Sequence, residues 1–228
     1  MANPKIGTLL GFDTTNFNLG TASTLANGVL TVVPTADYNG GIVTKVPYDV
    51  AASAVYYRQN NSPGSSVNSN ELFVGMLDTQ EISYGFGSAQ NILGWYCVGD
   101  APALGIWLQP VVNVAGVDQS PTTSSPGWNP AESGFFTCSA SSPLYIRIRE
   151  AGGTTFYETS TDASTWTTLY SVADPLSTTV MGALYFALAA GFYGSGSGDH
   201  GVNEVIDKFN GGAVAPAANP GQFFPFIR

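Results

Sequence analysis

Residues 144–170 read LYIRIREAGGTTFYETSTDASTWTTLY, and the reading of this stretch sets the fold class. Leu144, Ile146 and Ile148 alternate with Tyr145, Arg147 and Arg149, the period of a strand with one buried face. Gly152-Gly153 supplies the positive φ angles that a two-residue hairpin turn needs. With that turn setting the register, Ile148 stands opposite Tyr157 on the buried side and Arg147 opposite Glu158 on the wet side. An exposed pair of this kind is worth ~0.2–1 kcal/mol and mainly favours the register. A polar turn over 161–164 leads into a third short strand through Trp166.

The same grammar extends outward. Residues 28–46 read as strand, turn, strand, with Asn39-Gly40-Gly41 inside the turn. A strand at 53–59 runs into a loop made almost wholly of turn formers. Residues 71–78 and 82–87 read as the two arms of a hairpin, and two further strands carry Trp95 and Trp107. The segment 118–133 is rich in Pro and Ser and carries Trp128; loops of that length are commonly functional or disordered. Residues 180–193 are apolar on both faces, which suits a strand buried on both sides, although periodicity alone also admits a helix. A glycine-rich loop and a closing strand at 203–210 follow. The expected architecture is all-β: one sandwich domain over 21–210, an arm or edge strand over 1–20, and an extended tail over 211–228.

Charged residues make up only 10% of the 228-residue chain, while 44% is hydrophobic and the net charge is −9. Seven Lys and Arg, mostly scattered, leave little to neutralise phosphates, so nucleic acid and anionic membranes are not expected partners. No apolar run reaches the length of a membrane span. The first residues, MANPKIGTLLGFDTT, hold no apolar core of a signal peptide. Cys97 and Cys138 are accordingly expected as reduced, buried thiols, with a disulfide as the alternative.

Tyr145-Ile146-Arg147-Ile148-Arg149, Gly153, Thr154, Tyr157, Ser160, Asp162 and Trp166 resemble a segment found in many concanavalin A-like lectin/glucanase domains. The apolar strand at 184–191, the glycines at 194–198, and Asp207 with Phe209 extend the likeness over 144–210. It implies a jelly roll of two antiparallel sheets, with the Asp162-to-Trp166 turn structural. One departure is Ala163, where glycine is common.

A retaining glycosidase needs two carboxylates about 5–5.5 Å apart. One glucanase pattern of the superfamily, Glu-x-Asp-x-x-Glu, is approached at Met76, Asp78 and Glu81, but methionine cannot be the nucleophile. Glu150, Glu158 and Asp162 cluster near the central hairpin, with Glu158 assigned to Arg147. His200 beside Asp199 lies in a glycine-rich loop that supports no fixed catalytic geometry. Asp37 with Asn39, or Asp199, could touch calcium, but the ligand spacing of legume-type lectins is absent, so neither metal nor cofactor is expected. Sugar recognition needs aromatic platforms with planar polar groups; Trp128, Tyr84, Tyr96 and Trp107 are the candidates, with core packing the competing role for Trp95 and Trp107. Phe223, Phe224 and Phe226 end the chain as an apolar cluster suited to docking on a partner or on the chain's own domain.

A β-rich chain without an export signal, with a low-charge surface and no catalytic pair, fits a non-enzymatic bacteriophage virion protein. Such a capsid decoration, fibre or accessory protein would be made in the host cytoplasm and held by terminal arms to other virion proteins or to copies of itself. The alternative is a module binding neutral glycans, and the two agree if the particle adheres through a lectin-like face.

Overall fold

A computed structural model describes residues 2–35, 40–61, 69–82, 89–99, 106–121, 136, 138–139, 141–193 and 203–211. Two seven-stranded antiparallel sheets form its framework. In spatial order sheet I holds β1 (Phe17–Leu19), β4 (Gly40–Thr44), β13 (Tyr185–Tyr193), β6 (Ser69–Leu77), β7 (Ile92–Gly99), β8 (Ile106–Val114) and β9 (Val117–Asp118). Sheet II holds β12 (Thr167–Ala173), β11 (Thr154–Ser160), β10 (Leu144–Glu150), β5 (Ala54–Gln59), β14 (Glu204–Asp207), β3 (Val29–Val32) and β2 (Ser23–Ala26). This is the jelly-roll sandwich expected from the central stretch.

Alternation fills the space between the sheets. Leu72, Val74, Met76, Leu93, Trp95, Cys97, Phe186 and Leu188 of sheet I meet Val55, Tyr57, Ile146, Ile148, Tyr157 and Ile206 of sheet II in one buried cluster. Trp95 and Tyr157 pack edge to face at 5.2 Å. Trp95 Nε1 donates to the Arg147 carbonyl in sheet II at 3.3 Å, and Tyr157 Oη donates to the Val111 carbonyl in sheet I at 3.1 Å. Each ring therefore buries its apolar body and satisfies its polar tip on the opposite sheet. The N-terminal segment joins this core: Ile6, Leu9, Phe12 and Phe17 are buried, and Phe209 packs against Phe12, Phe17 and Phe186.

The central hairpin has the predicted register, Arg147 opposite Glu158 and Ile148 opposite Tyr157. Its ion pair is not exposed, however. Glu158 is 4% accessible beneath Arg147 and Arg149, whose guanidinium groups reach it at 2.6 and 3.0 Å. Arg147 also lies over the Trp166 ring at 3.8 Å, which takes the group out of water. The turn after β11 is held by Asp162, whose Oδ1 accepts from the Ser164 and Thr165 amides at 2.8 Å. Ala163 takes φ 59° there, the left-handed conformation that glycine adopts more readily.

Two further expectations need correction. β6 pairs with β13 on one side and with β7 on the other, Leu77 opposite Ile92, so its hairpin partner is β7; residues 83–87 of the expected arm lie outside the described residues. β3 and β4, predicted as two strands about one turn, lie in different sheets. The closing strand expected at 203–210 is β14, the last described strand in chain order, and it sits inside sheet II between β5 and β3. In the apolar run 180–193 the first residues end a short helix, α1 (Thr178–Met181), and the strand starts at Tyr185. Ser177 caps that helix, its hydroxyl accepting from the Val180 amide at 3.4 Å. Cys97 and Cys138 are free, buried thiols.

Burial raises the Glu158 pKa, but Arg149 and Arg147 more than offset it and hold the carboxyl below its usual range. The stabilisation by Glu158 is thus present above the unfolded carboxylate pKa and is lost as pH falls through the folded one. Glu158→Ala strands two part-buried guanidinium groups and is expected to cost ~2–4 kcal/mol in urea unfolding at neutral pH. The loss should shrink on acidification; an equal loss at all pH values would contradict this account.

Candidate functional site

The outer face of sheet I differs from an ordinary wet sheet face. Val43, Phe73, Leu77, Ile92, Ala187 and Ala189, all pointing away from the main core, form a second buried apolar cluster with Ala89. Strand alternation puts them there: in β7, Leu93, Trp95 and Cys97 face the core, so Ile92, Gly94, Tyr96 and Val98 face out. In β8, Ile106, Leu108 and Val112 face in, so Trp107, Gln109, Val111 and Asn113 face out.

Cross-strand register lines these side chains into rows. Phe73 of β6 is opposite Tyr96 of β7, which is opposite Gln109 of β8; Val98 is opposite Trp107. The Phe73 and Tyr96 rings stack with centroids 4.6 Å apart, and Trp107 meets Tyr96 edge to face at 6.1 Å. Tyr96 Oη donates to the Glu71 carboxylate, so a planar acid sits at the edge of this aromatic ladder. The neighbouring row brings Ala187, Gly75 and Gly94 side by side. A Cβ on Gly75 or Gly94 would stand 2.9 Å from a carbonyl of the adjacent strand, so the close approach of β6 and β7 requires glycine at both.

Of the predicted sugar-binding residues, Tyr96 and Trp107 come together on this ladder. Both are half-buried on the outer face, not in the core. Trp95 takes the core role at 1% exposure. Tyr84, Trp128, Phe223, Phe224 and Phe226 lie outside the described residues, as do Asp37, Asn39, Asp199 and His200. Glu71 and Phe73 escaped the sequence reading, although both share outward parity with Gly75 and Leu77 in β6.

The Asp78 and Glu81 carboxylates are clamps for the β6–β7 connection. Asp78 accepts from the Gln90 and Asn91 amides at 3.0 and 3.1 Å and from Asn91 Nδ2 at 2.7 Å. Glu81 accepts from the Ala89 amide at 3.0 Å. Met76 is wholly buried in the main core, so the glucanase-like spacing builds no acid pair. Glu150 accepts from the Ala52 and Gly153 amides and stands below the usual carboxylate range on that account. Among the described residues, Glu71 is the sole carboxylate at the outward positions of β4, β6, β7, β8 and β13.

Glu204 is a strongly perturbed carboxyl. It is wholly buried between the sheets, and desolvation pushes its pKa up to about 8 while Gln59 Nε2, donating to it, works the other way. Tyr57, Cys97 and Cys138 surround it. The Cys97 Sγ lies 3.8 Å from Tyr57 Oη, and Cys138 Sγ donates to the Gln59 carbonyl at 3.1 Å. Burial pushes the Cys138 thiol up to about 12 and raises Cys97 as well, so neither is a nucleophile at neutral pH. This cluster has the perturbation of a catalytic site without its access.

No protein-family model and no curated protein sequence matches the chain. Solved structures do. A legume lectin-like domain from Entamoeba histolytica superposes with a TM-score of 0.56 at 8% identity, covering 88% of this chain and 94% of that one. The VIP36 exoplasmic/lumenal domain bound to Ca²⁺ and Man3GlcNAc gives 0.55 at 13% identity, over 88% and 84%. The fold is legume lectin-like. A structure from work on endo-acting O-glycanases of the human gut microbiota gives 0.51 at 9% identity, over 89% and 93%. At these identities the likeness is one of fold. Among the described residues no three His, Cys, Asp or Glu side chains converge to hold a metal ion.

The raised Glu204 pKa has a definite sign. Stability from the neutral carboxyl is complete below the unfolded pKa and drains away as pH rises through the folded value. Between about pH 5 and pH 8 the wild type should lose stability relative to Glu204→Gln, on the order of 3–5 kcal/mol in all. Parallel stability profiles of the two proteins in urea would refute this.

Proposed function

We propose that this chain is a non-catalytic glycan-binding protein whose recognition surface is the outer face of sheet I. The observation that carries the reading is the ladder Phe73–Tyr96–Trp107 with Glu71 held at its edge. Sugar rings present apolar C–H faces that stack on aromatic rings, and their hydroxyls pair with planar acids and amides such as Glu71 and Gln109. The Man3GlcNAc bound by VIP36 and the lectin-like character of the neighbours support a saccharide as ligand. Glu71, the one outward carboxylate of the described central strands, supports binding over hydrolysis, because glycoside cleavage ordinarily takes two.

The low charge, 10% of residues, also favours the finer reading of a bacteriophage virion accessory protein. On such a particle, partnered by virion proteins or by its own copies, the glycan face would serve host-surface adhesion. Quantitative mass spectrometry of density-purified particles from the source culture tests that reading, which absence from the particles would remove.

Calorimetric titration against a broad set of neutral oligosaccharides tests the binding itself. Wild-type protein should give a saturable isotherm without releasing sugar. Trp107→Ala and Tyr96→Ala should each weaken binding at least ~10-fold, corresponding to ~1.4 kcal/mol, while the domain stays folded. Flat isotherms for the wild type would end the proposal.

A further inference from the structure

Two oxygen atoms between the sheets, Gln59 Oε1 and Glu204 Oε1, have no hydrogen-bond partner, yet their side chains are already bonded to each other. Gln59 ends β5 and Glu204 begins β14. Gln59 stands opposite Ile206, so Glu204, two residues earlier and of the same inward parity, is its diagonal neighbour. Both are buried, Gln59 at 1% exposure and Glu204 at 0%. Gln59 Nε2 has two hydrogens; one goes to Glu204 Oε2 and the other to the Asn61 carbonyl at 3.2 Å. An ionised carboxylate and an amide oxygen both only accept, so in that state the two orphaned oxygens cannot satisfy each other. Neighbouring donors are engaged elsewhere. Cys138 Sγ donates to the Gln59 carbonyl at 3.1 Å, and Tyr57 Oη and Cys97 Sγ pair with each other at 3.8 Å. A proton on Glu204 Oε1 is the donor that remains. Given to Gln59 Oε1, it completes two parallel bonds of opposite sense between acid and amide.

A charge at this position finds no counter-ion among the described residues. The titratable groups around Glu204 are Tyr57 from β5, Cys97 from β7 and Cys138, all neutral acids that its charge would push further up. Arg58 and Asp207, on the same two strands, have the opposite parity and fork onto each other on the outer side of sheet II. The strand that Glu204 begins has little other support. β14 shares two register pairs with β5 and three with β3. Its first residues are tied on by the end of β5: Asn61 Nδ2 donates to the Asn203 carbonyl at 2.7 Å, and Asn61 Oδ1 accepts from the Val205 amide at 2.9 Å. Because Gln59 Nε2 also reaches the Asn61 carbonyl, the acid–amide pair and this clasp form one unit.

We propose that one proton, shared between Glu204 Oε1 and Gln59 Oε1, latches the start of β14 into sheet II, and that its loss frees this strand while the rest of the sandwich stays folded. Burial holds the proton until about pH 8, so the latch is closed at neutral pH and opens as pH rises through that value.

Infrared difference spectroscopy on the full chain reads the proton itself. Between pH 7 and pH 9 the wild type should lose the carbonyl band of a neutral carboxyl, a band missing from Glu204→Gln throughout. Absence of that band from the wild type at pH 7 would overturn the proposal, because the carboxyl would then be ionised and its oxygens met by something other than a proton. The wild-type titration carries this test even where the variant folds poorly. Site-resolved hydrogen exchange reads the latch. From pH 7 to pH 9 the protection factors of the Val205 and Ile206 amides should fall at least about tenfold in the wild type. In Glu204→Gln, whose side-chain amide pairs with Gln59 without an ionisable proton, they should hold within about twofold. Protection along β10 and β11 should stay constant in both proteins. Equal pH profiles at β14 in the two proteins would overturn the latch. A wild-type loss shared evenly by β14, β10 and β11 would overturn it as well, since that pattern marks global unfolding.

Discussion

The sandwich depends on a reciprocal exchange between its two sheets. Trp95 gives its indole N–H to a sheet II carbonyl, and Tyr157 gives its hydroxyl to a sheet I carbonyl, while the two rings pack edge to face between them. Hydrophobic burial alone is indifferent to sliding one apolar face over another. Two directional bonds of opposite sense, inside a dry interface, are not, because a shift that breaks either leaves a buried polar group unpaired. Which residues reach the outer face of β6, β7 and β8 follows from that fixed relation.

Carboxylates in this chain are used mainly to organise backbone and guanidinium groups. Asp78, Glu81, Glu150 and Asp162 each collect main-chain amides, and Glu158 and Asp207 each hold arginine. A chain with so few charges places them where loops must be pinned. The β6–β7 connection is such a case, tied by its two acids to the amides of Ala89, Gln90 and Asn91.

The fold was legible because period-two alternation and a Gly-Gly turn are local signals, and the Arg147–Glu158 register follows from them without tertiary information. Burial of that pair was not legible. It arises because Arg147 lies on Trp166 and Arg149 adds a second guanidinium to the same carboxylate, contacts made between three strands. The pairing of β6 with β7 was hidden for a similar reason. Residues 78–82 leave the strand period in order to cross the sheet, and a turn-rich sequence does not say which later strand returns to pair with β6. Tyr96 and Trp107 could be named from residue type, but their meeting depends on β7–β8 register, and Glu71 and Phe73 join them only through the β6–β7 pairing.

The two outer faces end up chemically opposite. On sheet II the guanidinium groups are already matched: Arg58 forks onto Asp207, Arg147 and Arg149 share Glu158, and Trp166 and Phe156 are covered by the cations they stack against. Its aromatic and charged groups largely satisfy one another. On sheet I the Phe73 ring stacks on Tyr96, Trp107 meets Tyr96 edge to face, and the Tyr96 hydroxyl donates to Glu71. A surface that has spent its polar and aromatic capacity internally gains little from a ligand. The proposed glycan face is accordingly on sheet I, where the half-buried Tyr96 and Trp107 meet, since on sheet II the half-buried Trp166 already lies under Arg147.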